Sequence, residues 1–349
     1  LVVASDLETP ARDVARARGI PVIEMHARSG RFAGAFDLVM PAAAECPRPV
    51  ERPFAPDVAM VLHTSGTTSR PKMVPLTHMN LVRSAGNVAR VLGLGPGDLC
   101  LNIMPLFHIH GLVAALLASL QASAAVACSG GYVATEFFDL LRCFKPTWYT
   151  AVPTMHQGIL ERVAPHADLL ERLRLRFVRS SSAALPPPVL HALEAAFHCP
   201  AVEAYGMTEA THQMACNPLP PGQRKPGSVG PAAGPEMAIL DPAGNELTTE
   251  ERGEVAIRGP NITPGYASNP EANTKAFTHG WFRTGDEGYF DADGYLFLTG
   301  RLKEMINRGG EKIAPREIDE ALLAHPDVAQ ALAFAMPDPV LGEEIGAAI

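Results

Sequence analysis

Over its first two-thirds the chain repeats one order, a short apolar run followed by a stretch with helical spacing. Residues 1–4 read as a strand. Thr9 then caps a helix with Pro10 at its first position, and Gly19 and Pro21 stop it. Residues 58–62 form a strand that empties into the polar run 63–72. Thr77 caps the next helix, whose apolar face is Leu81, Ala85, Val88 and Leu92. The alternation continues with strands at 99–104, 124–127, 148–152, 175–179 and 201–204. Helices lie between them at 111–119, from a Thr135 cap to before Pro146, and at 186–197. Units of this kind predict a parallel or mixed sheet covered by helices. Ligands of such sheets lie outside the carboxyl ends of the strands, so the loops just after strands carry the chemistry.

After about residue 225 Gly and Pro become dense. Short strands at 236–240, 241–245, 253–258, 281–290 and 295–299 read as an antiparallel β subdomain. A charged, glycine-bearing stretch from Arg301 precedes a helix at 315–324 and a strand at 331–335. The predicted fold is therefore α/β: a large domain over 1–300 with its β subdomain at about 225–300, then the start of a small α+β domain over 301–349. The start at Leu1 within regular structure, and the end at Ile349 within the small domain, read as a fragment.

Composition excludes several classes. With 47% apolar and 19% charged residues the chain can bury enough surface to fold. Its 29 Lys+Arg against 37 Asp+Glu give −8 and no basic stripe, which argues against a nucleic-acid partner. Arg172 to Arg179, the densest basic stretch, alternates with apolar residues as an ordinary strand approach does. Six scattered cysteines without a C-x-x-C pair fit a reducing, cytoplasmic setting. The apolar window 111–127 is broken by Ser119, Gln121 and Ser123, and reads as a buried helix and strand rather than a membrane span. His108-Ile109-His110 has no cysteine or carboxylate at ligand spacing, so no structural metal is expected there.

Four segments carry chemistry. Thr64-Ser65-Gly66-Thr67-Thr68-Ser69-Arg70-Pro71-Lys72 follows a strand and supplies many donors and one mobile cation, as a polyphosphate requires. It lacks the Gly-Lys-Ser/Thr ending of a Walker loop. Tyr205-Gly206-Met207-Thr208-Glu209 offers a stacking face, a hydroxyl and a hard oxygen ligand suited to Mg²⁺. Trp281 to Asp286 ends in an acid able to hold vicinal hydroxyls, and Gly300 to Ile318 is charged and glycine-bearing. Singly, each also reads as a surface loop, a strand end, a turn or a solvated linker.

In this order the four segments resemble the adenylate-forming superfamily, and Pro105 to Gly111 is similar to the histidine motif of its acyl-CoA synthetase branch. The resemblance runs over essentially the whole chain. It implies that Thr64, Ser65, Gly66, Thr67, Thr68 and Lys72 hold the β- and γ-phosphates of ATP. It further implies that Tyr205 packs on adenine, Thr208 contacts the α-phosphate region and Glu209 ligates Mg²⁺. Asp286 and Arg301 would hold the ribose, Lys303 would be the hinge of the small domain, and Gly309 and Gly310 would border the passage for coenzyme A. The implied reaction is activation of a carboxylate as its adenylate, then transfer to a thiol. The family also has a lysine near the end of the small domain, beyond Ile349.

The acid is expected to be short. Ala210-Thr211-His212-Gln213 and Ser180-Ser181-Ser182, with His108 and His110, offer small polar groups where a fatty-acyl enzyme has an apolar tunnel. A second carboxylate requires such a lining, because a buried charge must be paired or hydrogen-bonded. Ser181, Ser182, His108 and His212 are the candidates for acid contact, with His110 read as a packed core histidine. The wording from Glu203 to Gly230 and from Ile306 to Ile313 resembles oxalate–CoA ligases. Three alternatives stay beside oxalate: another small or medium-chain acid, a module loading a carrier protein, and an inactive nucleotide-binding fragment.

Overall fold

The computed structural model describes residues 1–28, 35–40, 52–64, 71–323, 325, 327–328 and 330–349. The chain divides into two compact units, Leu1–Pro53 and Phe54–Ile349. In the first, strand Val2–Ala4 pairs parallel with Ile23–Ala27, which pairs antiparallel with Phe36–Val39. Helix Ala11–Ala17 begins one residue later than the sequence suggests: Pro10 is the N-cap, and Thr9 Oγ1 accepts from Ala11 N at 3.3 Å.

The second unit is built on a six-stranded sheet in the order His212–Cys216, Ala201–Met207, Phe177–Ser181, Trp148–Ala151, Leu99–Asn102 and Ala125–Cys128. All neighbours are parallel except the first pair. Successive side chains alternate between two cores, as strands buried on both faces require. Leu101, Tyr149 and Val178 face one core with Phe137, Leu141 and Phe197. Cys100, Trp148 and Phe177 face the other with Val88 and Ala114. The window 111–127 lies in this packing as expected, as π-helix His110–Leu117, helix Ala118–Gln121 and strand Ala125–Cys128. Among the described residues no helix is long and apolar enough to cross a membrane.

Three local expectations are corrected. The run after residue 62 does not pass straight into a helix: Val58–Thr64 turns back antiparallel as Lys72–Thr77 before helix His78–Val91 starts. Pro71 and Pro75 disguise that return strand, and Pro75 is tolerated because the hairpin has only two strands and hence only edges. Thr135 is not a cap, since Glu136 occupies that place before helix Phe137–Phe144 with no side-chain bond. Residues 241–245 form a turn in which Asp241 Oδ1 accepts from Asn245 N at 2.9 Å.

The expected β subdomain is an antiparallel sheet of Glu236–Leu240, Gly253–Arg258, Trp281–Phe290, Phe277–Thr278 and Leu296–Arg301. A four-stranded antiparallel sheet with helix Pro315–Leu323 follows over the last residues. Thr77 caps helix His78–Val91 as read, in a capping box with Asn80. The same Asn80 amide donates to the carbonyls of Pro260 and Ile262 at 2.8 and 2.9 Å, which ties this helix to the segment leading to Tyr266.

Candidate active site

The carboxyl ends of the strands open onto a cavity of about 600 Å³. Thr64 and Lys72 face each other at the end of the hairpin and both line it, together with Met207, Thr208 and Glu209. Ser65, Gly66, Thr67 and Thr68 lie outside the described residues. The two strongest sequence motifs therefore share one crevice. A residue the sequence reading missed joins them: Tyr266 stacks under Lys72 Nζ, 4.5 Å from the ring centroid, and its hydroxyl donates to Glu209 Oε1 at 2.8 Å. No periodicity marks Tyr266; it arrives on an irregular segment pinned where Thr263 N donates to Glu209 O at 2.7 Å.

Glu209 is held by a sharp local geometry. Strand Ala201–Met207 bulges between Tyr205 and Gly206, a short 3₁₀ turn Thr208–Ala210 follows, and Thr211 and His212 take positive φ before the chain returns antiparallel. A Cβ on Gly206 would lie 1.7 Å from His212 O, so only glycine fits between these strands. Glu209 is 6% exposed and has no cation partner among the described residues. A buried carboxylate lining a cavity, with one oxygen fixed by a phenol, fits a divalent cation.

Beyond Gly206 lies a second cavity of about 270 Å³ that shares Ser182, Gly206 and Arg301 with the first. Tyr205 is buried and donates its hydroxyl to Asp286 Oδ2. Asp286 stands in register with Arg301, whose Nε lies 3.1 Å from Oδ1. Burial pushes the Asp286 carboxyl up, against the opposing pull of Tyr205 and Arg301. Glu203, also in this lining, is fixed by Leu185 N at 2.9 Å, while its second oxygen has no partner. Burial pushes its carboxyl up to about 7. Lys303 reaches the larger cavity, whereas Gly309 and Gly310, in the turn between Ile306–Arg308 and Glu311–Ile313, line neither.

The acid candidates separate. Ser182 and His212 line the larger cavity, as does His108, whose Nδ1 accepts from His110 N at 3.1 Å. Ser181 points away, donating to Ala204 O at 2.8 Å. Ser182 takes φ +75°, a strained conformation at the strand end that turns its side chain off the sheet.

Behind them stands a group that sequence reasoning treated as routine. Arg179 is fully buried, and among the described residues no carboxylate pairs with it. The strand register sets Arg179 beside Thr150, and Thr150 beside Asn102, on one face of the sheet. Arg179 Nη2 donates to Gln213 Oε1 at 3.3 Å, and Nη1 faces His110 Nε2 at 3.3 Å and Thr150 Oγ1 at 3.4 Å. His110 is fully buried as read, yet it is not merely packed: Nδ1 lies 3.1 Å from Ser182 Oγ and Nε2 2.6 Å from Thr150 Oγ1. It enters on the π-helix, where Gly111 lies so close to Pro105 O that a Cβ would sit at 2.6 Å.

Known proteins are similar to this chain in sequence and in structure. The oxalate–CoA ligase of Arabidopsis thaliana is 56% identical over 296 residues, covering 84% of this chain and 57% of that protein. The sulfoacetate–CoA ligase of Cupriavidus necator is 44% identical over 303 residues, covering 86% and 58%. The chain thus spans rather more than half the length of these relatives. Among solved structures it is similar to ATP-bound MatB from Rhodopseudomonas palustris, with a TM-score of 0.83 and 29% identity over 99% of this chain and 68% of MatB. Residues 8–267 match the family of AMP-binding enzymes, which takes in the hairpin, the Glu209 turn and the sheet between them; the chain belongs to the AMP-binding enzyme family.

Proposed function

We propose that this chain is the greater part of an ATP-dependent acid–CoA ligase whose acid is short and carries a second anionic group, oxalate first. The observation that carries the choice of acid is the buried Arg179, a cation without a carboxylate partner among the described residues, set directly behind His110 and Ser182. A buried charge lacking its counterion is costly, and an anion entering the cavity would compensate it. The oxalate and sulfoacetate ligases among its relatives support the same reading, since both named acids carry two anionic groups.

In the proposed reaction the substrate carboxylate attacks the α-phosphorus of ATP, giving an acyl-adenylate and releasing pyrophosphate. The thiol of coenzyme A then attacks the acyl carbon, and AMP leaves. Thr64 to Thr68 and Lys72 would cradle the β- and γ-phosphates, and Thr208 would meet the α-phosphate. Mg²⁺, held by Glu209, would neutralise charge on the phosphates. Tyr205 would pack on adenine while Asp286 and Arg301 hold the ribose. Residues 301–349 would belong to a mobile part hinged at Lys303 on the body 1–300, with Gly309 and Gly310 brought to the coenzyme A passage after adenylation.

Pyrophosphate exchange by the full-length gene product, offered oxalate, malonate, acetate and octanoate, tests the assignment. Exchange with the diacids and little with acetate or octanoate is expected; the strongest exchange with octanoate would refute it. Exchange that coenzyme A fails to discharge would indicate a carrier-loading module instead.

A further inference from the structure

We infer that Arg179 and Thr150, neither of which lines the cavity, are positioning residues that keep the proton of His110 on Nδ1 and thereby turn Ser182 into a hydrogen-bond donor toward the substrate. The inference rests on the short-acid reading and deepens it.

A guanidinium can only donate. An N–H on His110 Nε2 would face the Arg179 Nη1 donor at 3.3 Å, so Nε2 is read as turning its one lone pair to this side, where the closer Thr150 hydroxyl fills it. Thr150 Oγ1 accepts from the same Nη1 at 3.4 Å, so its own hydrogen is free for Nε2, 2.6 Å away. Gln213 locks the guanidinium from the other side, its amide oriented by Ala233 O at 3.2 Å. A neutral imidazole whose Nε2 accepts carries its hydrogen on Nδ1. Burial first, then the neighbouring His212 and Arg179, hold His110 neutral. Nδ1–H therefore donates to Ser182 Oγ at 3.1 Å, and the Ser182 hydrogen is left for the cavity.

The neighbouring histidine carries the opposite tautomer for a separate reason. His108 Nδ1 accepts the backbone N–H of His110, so its hydrogen lies on Nε2. Two residues apart, one histidine is set by the backbone and the other by Arg179. An anionic oxygen at Ser182 would meet a neutral donor polarised by a cation one layer behind it. An apolar acyl chain would leave that donor unpaired, a penalty that discriminates between acids.

Selective ¹⁵N-histidine labelling of the full-length protein, with His110 assigned by loss of its signal in His110→Gln, reads the tautomer without any substrate. Wild type is expected to show Nδ1–H, and Arg179→Met a substantial Nε2–H population. In exchange assays Arg179→Met should raise the oxalate KM about tenfold or more, the loss typical of one hydrogen bond to a charged group, with the ATP KM unmoved. Thr150→Val, which keeps shape, should raise the oxalate KM in the same direction, and Thr150→Ser should restore it; this pair decides the matter if Arg179→Met does not fold. Nε2–H in the wild type would overturn the inference. So would a Thr150→Val enzyme with wild-type oxalate KM. Absence of oxalate-dependent exchange in the wild type would instead sink the short-acid reading, while the tautomer still tests the Arg179–His110 link.

Discussion

The two ends of the crevice solve opposite electrostatic problems. At the end proposed for the nucleotide, Asp286 stands beside Arg301, and the Tyr266 phenol lies between Glu209 and Lys72. At the end proposed for the acid, Arg179 is buried behind imidazoles and hydroxyls, with no carboxylate beside it among the described residues. In the first arrangement each buried carboxylate has a neighbour that holds it, a guanidinium for Asp286 and a phenol hydroxyl for Glu209. The second rests on neutral contacts, and in the proposed function an anion from outside would complete it. Under the proposed function, selectivity for the acid would belong to a layer behind the cavity, and nucleotide binding to residues that line it.

Several substitutions break or sharpen this contrast. Glu209→Gln should strike the nucleotide end hardest, lowering pyrophosphate exchange by about 10²–10³, the usual loss when a charge-stabilising group is removed. Its thermal midpoint should stay near that of wild type, which calorimetry would check. Gly206→Ala should disturb both ends, since its Cβ would fall 1.7 Å from His212 O. Strain there should cost about 3 kcal/mol of stability in chemical denaturation. Asp286→Asn should raise the KM for ATP about tenfold while leaving the KM for the acid alone, which steady-state titration of each substrate separates.

The smallest expected effect is a pH slope. The Glu203 carboxyl is pushed up to about 7 against an ordinary value of 4.5, so the folded chain keeps a proton that the unfolded chain has released. Stability from this group is complete below pH 4.5 and is lost as pH rises through 7. Glu203→Gln should flatten the fall in melting temperature over that window. A slope equal to the wild type's would assign it to other groups.

Much of the lining at the end proposed for the nucleotide was legible because its groups lie on contiguous segments just after strands. Thr64 to Lys72 and Tyr205 to Glu209 announce donors and a carboxylate suited to a metal within a few residues. Asp286 and Arg301 come from separate segments, yet they are neighbours across one strand pair of the same subdomain. The return strand Lys72–Thr77 was hidden by its prolines, and Tyr266 by having no periodic context. At the end proposed for the acid, the lining was half legible. Ser182 and His212 could be named because small polar residues are unusual where an acyl tunnel belongs, but Ser181 could not be told from Ser182. One residue's step along a strand sends the side chain to the other face, and the positive φ at Ser182 is invisible in the letters.

By itself the sequence determined the alternation of strands and helices, the places where that alternation is interrupted by donors, and hence the location of the crevice that Thr64, Lys72 and Glu209 line. Those depend on local spacing, which is a property of neighbours along the chain. Only the tertiary structure decided what Arg179 is. In the sequence it is one more cation in a basic stretch; in the sheet, register sets it beside Thr150, the π-helix lowers His110 onto it, and the antiparallel return of His212–Cys216 brings Gln213 across. These partners lie tens of residues apart, and nothing in local spacing encodes which strands become neighbours.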